Sequence, residues 1–202
     1  MNSLLYRLLK GIAKFIFKAW SRLEVNGIEN IPQSGPLIIV ANHVNIIDPI
    51  LLGISCPRQI HFMAKSELFE IPLLKNLILA LGAFPVNRGK TDFQSVKNSL
   101  KVLNNGGVLG IFPQGGTRKK DFEIIFRSGT AAIALKSKSV ILPVGINGTR
   151  DGLKVLKFGK IRVNIGKPIT WTLTHVGKIK DEDIATLNRE MEKAVENLLN
   201  IA

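Results

Sequence analysis

Apolar residues recur along this chain in two formats: short, nearly unbroken runs, and longer stretches spaced at helical intervals. The short runs fall at residues 37–41, 60–64, 83–88, 108–112, 140–146 and 161–166, and several are rich in branched side chains. Gly, Pro or Asn bounds most of them at one or both ends, as turns at the ends of buried strands do. Between them lie helical patterns. One begins at Asp48-Pro49, and Asp92–Asn105 carries Phe93, Val96, Leu100 and Leu103 on one face until Gly106-Gly107 stops it. Others cover 128–137 and 181–201, the last through Ile184, Leu187, Met191, Val195 and Leu198. The apolar stretch from Glu67 to Gly82 is broken by Pro72 and predicts two short helices. Strands alternating with helices predict an α/β fold: a single domain with a mixed, mainly parallel sheet flanked by helices.

Residues 1–20 follow a different pattern. Wound at ~100° per residue, they gather Arg7, Lys10, Lys14 and Lys18 within an arc of about 80°. Leu4, Leu5, Leu8, Leu9, Ile12, Phe15, Ile16 and Trp20 cover a broad opposite side. The cations interrupt the apolar run before it reaches spanning length, and no small-residue cleavage site follows a short apolar core. The segment therefore reads as an amphipathic helical arm for a membrane interface, with residues 21–202 as the folded domain. A helix packed on that domain with its lysines in water satisfies the same pattern.

Charge narrows the partners. The chain carries 28 Lys+Arg against 15 Asp+Glu, a formal net charge of +13, which calls for an anionic partner. With one tyrosine and no aromatic-basic stripe, nucleic acid is not expected; an anionic membrane surface or an acidic acyl donor is. The single cysteine, Cys56, lies in an apolar stretch, reads as a small core residue and fits a reducing compartment.

Three polar clusters interrupt the apolar pattern at strand ends, where open α/β sheets bind ligands. In the first, Asn42–Asp48, His43 can act as a proton acceptor if a carboxylate fixes its other ring nitrogen, and Asp48 could supply it. Five residues along a straight helix would turn the two apart, so a strand end followed by a turn is required. Helix and strand capping is the competing role for both residues. No Gly-x-Ser-x-Gly elbow is present, and His43, His61 and His175 show no HExxH spacing, so neither a serine nucleophile nor a metal site is expected. The second cluster contains Arg88. The third, Phe112-Pro-Gln-Gly-Gly-Thr-Arg118, sets Gly115 and Gly116 beside Arg118, which suits an anion, although each cluster also reads as a solvated basic turn.

Together these segments resemble the 1-acylglycerol-3-phosphate acyltransferase family. NHVNIID is similar to its His-x4-Asp motif, GAFPVNR to its second motif, FPQGGTR to its Phe-Pro-Glu-Gly-Thr-Arg motif and ILPVGI to its proline-centred fourth. The order of all four is kept over Asn42–Ile146. The resemblance implies acyl transfer from an acyl-carrier protein or acyl-coenzyme A thioester to lysophosphatidate, with no bound cofactor. It implies His43 as general base, Asp48 as its orienter, and Arg88, Gln114, Gly115, Gly116, Thr117 and Arg118 around the phosphate of a lysophospholipid acceptor. It further implies an acyl-donor region near Pro143 and peripheral or monotopic attachment to the cytoplasmic face of the cell membrane. On that reading Leu68, Phe69, Leu73, Leu74, Leu77 and Ile78 line an apolar groove for the acyl chain, and backbone amides or Asn42 are candidate oxyanion donors. The chain departs from the family at Gln114, where glutamate is usual, in its extra glycine, and at Asn45, where many members have serine. Glycerol-3-phosphate or another lysolipid as acceptor, and an inactive lipid-binding protein, are the alternatives.

Overall fold

The computed structural model describes residues 3–87, 92–115, 124–150, 159–171 and 178–201. Helix α1 (Ser3–Trp20) leads into strand β1 (Arg22–Asn26), followed by β2 (Leu37–Ala41), α2 (Asp48–Ser55) and β3 (Ile60–Lys65). A 3-10 turn (Ser66–Phe69) precedes α3 (Pro72–Ala80), β4 (Phe84–Val86), α4 (Phe93–Asn104) and β5 (Val108–Ile111). Then come α5 (Gly129–Ser137), β6 (Val140–Asn147), β7 (Lys160–Ile165) and α6 (Asp181–Leu199).

The seven strands form one sheet in the order β1-β7-β6-β2-β5-β3-β4. Every pairing is parallel except β6 with β7. This is the mixed, mainly parallel sheet that the apolar runs predict. The period-two alternation of the central strands divides the core. Leu37, Ile39 and Ala41 of β2 point to one face with Leu51 and Leu52 of α2. Ile38 and Val40 point to the other, with Leu103 of α4, Ala134 of α5 and Met191 of α6. Right-handed crossovers account for the layering: the connections moving from β2 toward β4 carry α2 and α3, and those moving back carry α4 and α5.

Strand β1 is absent from the sequence expectation. Only Leu23 and Val25 turn partly inward while Arg22, Glu24 and Asn26 are exposed, so a short edge strand leaves little apolar signal. Its partner β7 supplies Lys160 and Arg162, whose nitrogens stand 2.9 and 3.2 Å from the Glu24 carboxylate. Of the two short helices expected around Pro72, the first is the 3-10 turn and the second is α3.

Helix α6 lies against the sheet at Gly145, where a Cβ would stand 2.9 Å from Leu198 Cβ; only glycine permits this approach. Asn164 and Asn147 donate side-chain hydrogen bonds to the Leu198 and Leu199 carbonyls at 2.9 and 3.0 Å. They satisfy acceptors that the end of a helix leaves open.

Helix α1 divides its apolar residues differently from the single broad face of the sequence pattern. Tyr6 and Phe17 are buried against the domain, with Ala13 packed beside them. Lys10 is half-buried at this seam: its ammonium donates to the Cys56 carbonyl at the end of α2, and burial lowers its pKa. Leu8, Ile12 and Phe15, one and two turns apart, stay exposed, Phe15 at 73%. The side chains of Leu4, Leu5 and Trp20 lie outside those described. Because Phe17 fills the seam at 5% exposure, Phe17→Ala is expected to cost about 3 kcal/mol, read as a lower urea midpoint.

Candidate active site

Parallel strands β2, β5 and β6 end side by side, and the polar residues that follow them converge there. Asn42 extends β2 by one residue and replaces the ladder with its side chain. Its Nδ2 donates to the Ile146 carbonyl at 2.9 Å, and its Oδ1 accepts from the Ile146 N–H at 2.8 Å. This two-bond clamp fixes the end of β2 against β6. It commits Oδ1 and one of the two N–H groups of Nδ2 to the sheet.

The chain then turns. Asp48, at the first position of α2, is fully buried, and its Oδ2 accepts from the backbone N–H of Val44 at 2.8 Å and of Asn45 at 2.7 Å. The same oxygen stands 3.0 Å from Nδ1 of His43. The turn overcomes the angular mismatch that a straight helix would impose over five residues. Asp48 thus organises the loop between strand and helix as well as facing the imidazole. Asn45, where the family pattern has serine, accepts from the Ile47 N–H through Oδ1 at 3.2 Å and adds a second bond to the turn. A carboxylate accepts only, so Nδ1 carries the proton and Nε2 is left to take one.

Two further contacts hold the histidine. Phe112, just past β5, stacks on the imidazole with centroids 4.2 Å apart and planes inclined by 25°. Phe62 of β3 lies against the far side of Phe112 at 6.1 Å. Gln114 Oε1 accepts from the His43 backbone N–H at 2.8 Å, and the side chain is buried. The exchange of the usual glutamate for glutamine has a simple reading here: this bond needs an acceptor oxygen, and an amide supplies one as a carboxylate does. That oxygen faces the loop between β2 and α2 instead of opening outward. Gly115 completes the turn with φ 75°, in the left-handed region.

Not all sequence-predicted residues meet at this point. Arg88, Gly116, Thr117 and Arg118 lie outside the described residues, as does His175. Asn87, next to Arg88, donates its N–H to Asp92, which also caps α4 by accepting from Ser95 N–H at 3.0 Å. These backbone bonds hold the Asp92 carboxyl below its ordinary pKa. Pro143 is buried within β6, paired with Val40 and accepting from Gly166. None of the six groove residues is buried: Leu73 is 86% exposed and Leu77 is exposed beside it, giving an open apolar face. His61 faces the Gly82 carbonyl at 3.0 Å and belongs to that turn. Cys56 is buried, and burial raises its pKa.

A cleft of about 490 Å³ adjoins Asn42, Val44 and Gln114 and reaches Thr149, Arg150 and Glu196. The sequence pattern gave no sign of it, because its walls come from segments that are distant along the chain. The stacking role of Phe112 was also hidden, since the residue reads as the end of a buried run.

The family model described as "Acyltransferase" matches residues 22–147. A 1-acyl-sn-glycerol-3-phosphate acyltransferase of Bacillus subtilis (strain 168) is 31% identical over 166 residues, covering 82% of each chain. One of Borreliella burgdorferi is 31% identical over 140 residues, covering 67% of this chain but only 55% of its own length. The crystal structure of the 1-acyl-sn-glycerophosphate (LPA) acyltransferase from Thermotoga maritima superimposes on 100% of this chain and 85% of that one. Its TM-score is 0.72 at 22% identity, a likeness of fold.

Asp48→Ala strands three donors and is expected to lower stability by about 3 kcal/mol. His43→Ala, which leaves two backbone N–H groups on the carboxylate, should cost about 1 kcal/mol. Equal urea midpoints for the two variants would contradict the organising role of Asp48.

Proposed function

The chain belongs to the acyltransferase family that its residues 22–147 match, and we propose that it moves a fatty acyl group from a thioester to the free hydroxyl of lysophosphatidate, giving phosphatidate. The observation that carries this reading is the buried Asp48 carboxylate 3.0 Å from Nδ1 of His43, at the ends of three parallel strands. With Nδ1 bound, Nε2 accepts the proton of the acceptor hydroxyl as its oxygen attacks the thioester carbonyl. Asp48 stabilises the imidazolium that forms. Collapse of the tetrahedral intermediate expels the thiolate, which takes that proton back from Nε2 and leaves as a thiol. The substrate hydroxyl is the nucleophile, so no acyl-enzyme is formed. The donor is a thioester of acyl-carrier protein or coenzyme A.

The acceptor's phosphate belongs, on this reading, to Arg88, Gly116, Thr117 and Arg118, next to Gly115. Its acyl chain lies along the open face of Leu73 and Leu77. The surface of the same layer supports a membrane position. Leu8, Ile12 and Phe15 of α1 are exposed, as are Ile46, at 74%, and Ile50 beside the catalytic loop. Lys14 and Lys18 are exposed on the same helix. Apolar side chains flanked by cations suit an anionic lipid surface. No described helix is long and apolar enough to cross a membrane. The enzyme would sit as a peripheral or monotopic protein on the cytoplasmic face of the cell membrane.

Lysophosphatidate supplied with acyl-coenzyme A or acyl-carrier-protein thioester should yield phosphatidate by mass spectrometry, and His43→Ala should reduce the rate about a thousandfold. No phosphatidate with either donor would overturn the acceptor. The double variant Leu8→Asp, Phe15→Asp should cut sedimentation with anionic vesicles severalfold while keeping the wild-type urea midpoint; unchanged sedimentation would remove α1 from the membrane contact.

A further inference from the structure

The segment after the glycine turn brings a cation to it that lies outside every family motif quoted above. A Cβ built on Gly115 would stand 2.7 Å from Arg127 Nε and 3.0 Å from its Cζ. The guanidinium therefore lies over the bare backbone of the turn, in the space a side chain would fill. The φ of 75° at Gly115 is one that glycine adopts freely.

The position of Arg127 is built, not incidental. Its N–H donates to the Pro113 carbonyl at 3.0 Å, which ties residue 127 to the same turn. The preceding Phe126 is buried in the core beneath α5 and α6. Its N–H donates to Glu192 Oε1 at 2.7 Å, and its carbonyl accepts from Asn188 Nδ2 at 3.0 Å, both on α6. Two side chains of one helix thus hold the backbone from which Arg127 projects, while Arg127 itself is exposed. The adjoining turn residue, Gln114, is neutral and holds the His43 backbone. An acid at that position would offset the guanidinium charge; the amide leaves it in force. Among the described residues no ion pair involves Arg127.

We infer that Arg127 binds the acceptor's phosphomonoester over the Gly115 turn and thereby sets the enzyme's preference for phosphate-bearing acceptors. The inference rests on the acceptor reading given above and adds a residue to it. A planar guanidinium offers paired donors to phosphate oxygens, and its pull is strongest on a dianionic phosphomonoester. The chain of contacts from Arg127 through Gly115 and Gln114 to the His43 backbone links phosphate position to the base. Arg127 does not touch the reacting atoms and acts on affinity, not on the chemical step.

The test compares wild type, Arg127→Gln and Arg127→Lys on lysophosphatidate and on monoacylglycerol, which lacks the phosphate, with one thioester donor. Arg127→Gln should raise KM for lysophosphatidate about tenfold or more, keep kcat within about twofold, and leave the donor KM and monoacylglycerol turnover unchanged. Arg127→Lys, which keeps the charge without the paired donors, should fall between. An unchanged KM in Arg127→Gln, a loss confined to kcat, or an Arg127→Lys variant as impaired as Arg127→Gln would overturn the assignment. Wild-type enzyme that ignores lysophosphatidate while acylating monoacylglycerol would overturn the acceptor reading, and the assignment with it.

Discussion

Three N–H groups converge on one buried oxygen, Asp48 Oδ2: the Val44 and Asn45 amides and the His43 ring. A carboxylate removed from water is costly unless its charge is met by donors, and here the donors come from the loop it organises. The group sits in the first turn of α2, where the helix dipole favours negative charge, and Pro49 at the start of that helix gives up an N–H that would have had no partner. The conformation between β2 and α2 and the orientation of the imidazole are therefore one solution to one electrostatic demand. Ordering the turn and facing the imidazole are joined in this residue.

The remaining contacts keep that solution in register with the sheet. The Asn42 clamp joins β2 to β6, Gln114 joins the loop after β2 to the end of β5, and the Phe62–Phe112 pair packs on the ring from β3. Four strands thus determine the position of one side chain. Most of these bonds require a hydrogen-bonding type and not a charge, which explains how an amide can stand at position 114.

The sequence was informative where periodicity carried the structure. The central strands, buried on both faces, appear as unbroken apolar runs, and α4 and α6 as helical stripes. It was silent for β1, whose alternation is too short and too polar to rise above a loop. It also misassigned one face of α1, because Tyr6 and Lys10 make tertiary contacts that helical spacing cannot reveal. At the site, His43 and Asp48 were legible from type and spacing, helped by the ordered motifs. Phe112 and Arg127 were not, since their roles depend on packing across strands and on where α6 holds the chain. The apolar residues around α3 were read as lining a groove; composition gives no information on how far such a cluster is covered, and this one is open.

The asparagine bonds between the sheet and the last turn of α6 have a practical corollary. Asn147 and Asn164 hold the Leu199 and Leu198 carbonyls, and Glu196, Leu199 and Asn200 form one wall of the cleft beside Gln114. The carboxyl-terminal end of the helix is thereby part of the site's enclosure. An affinity tag or fluorophore fused there would press on that cleft, and trimming the same end would remove part of its wall.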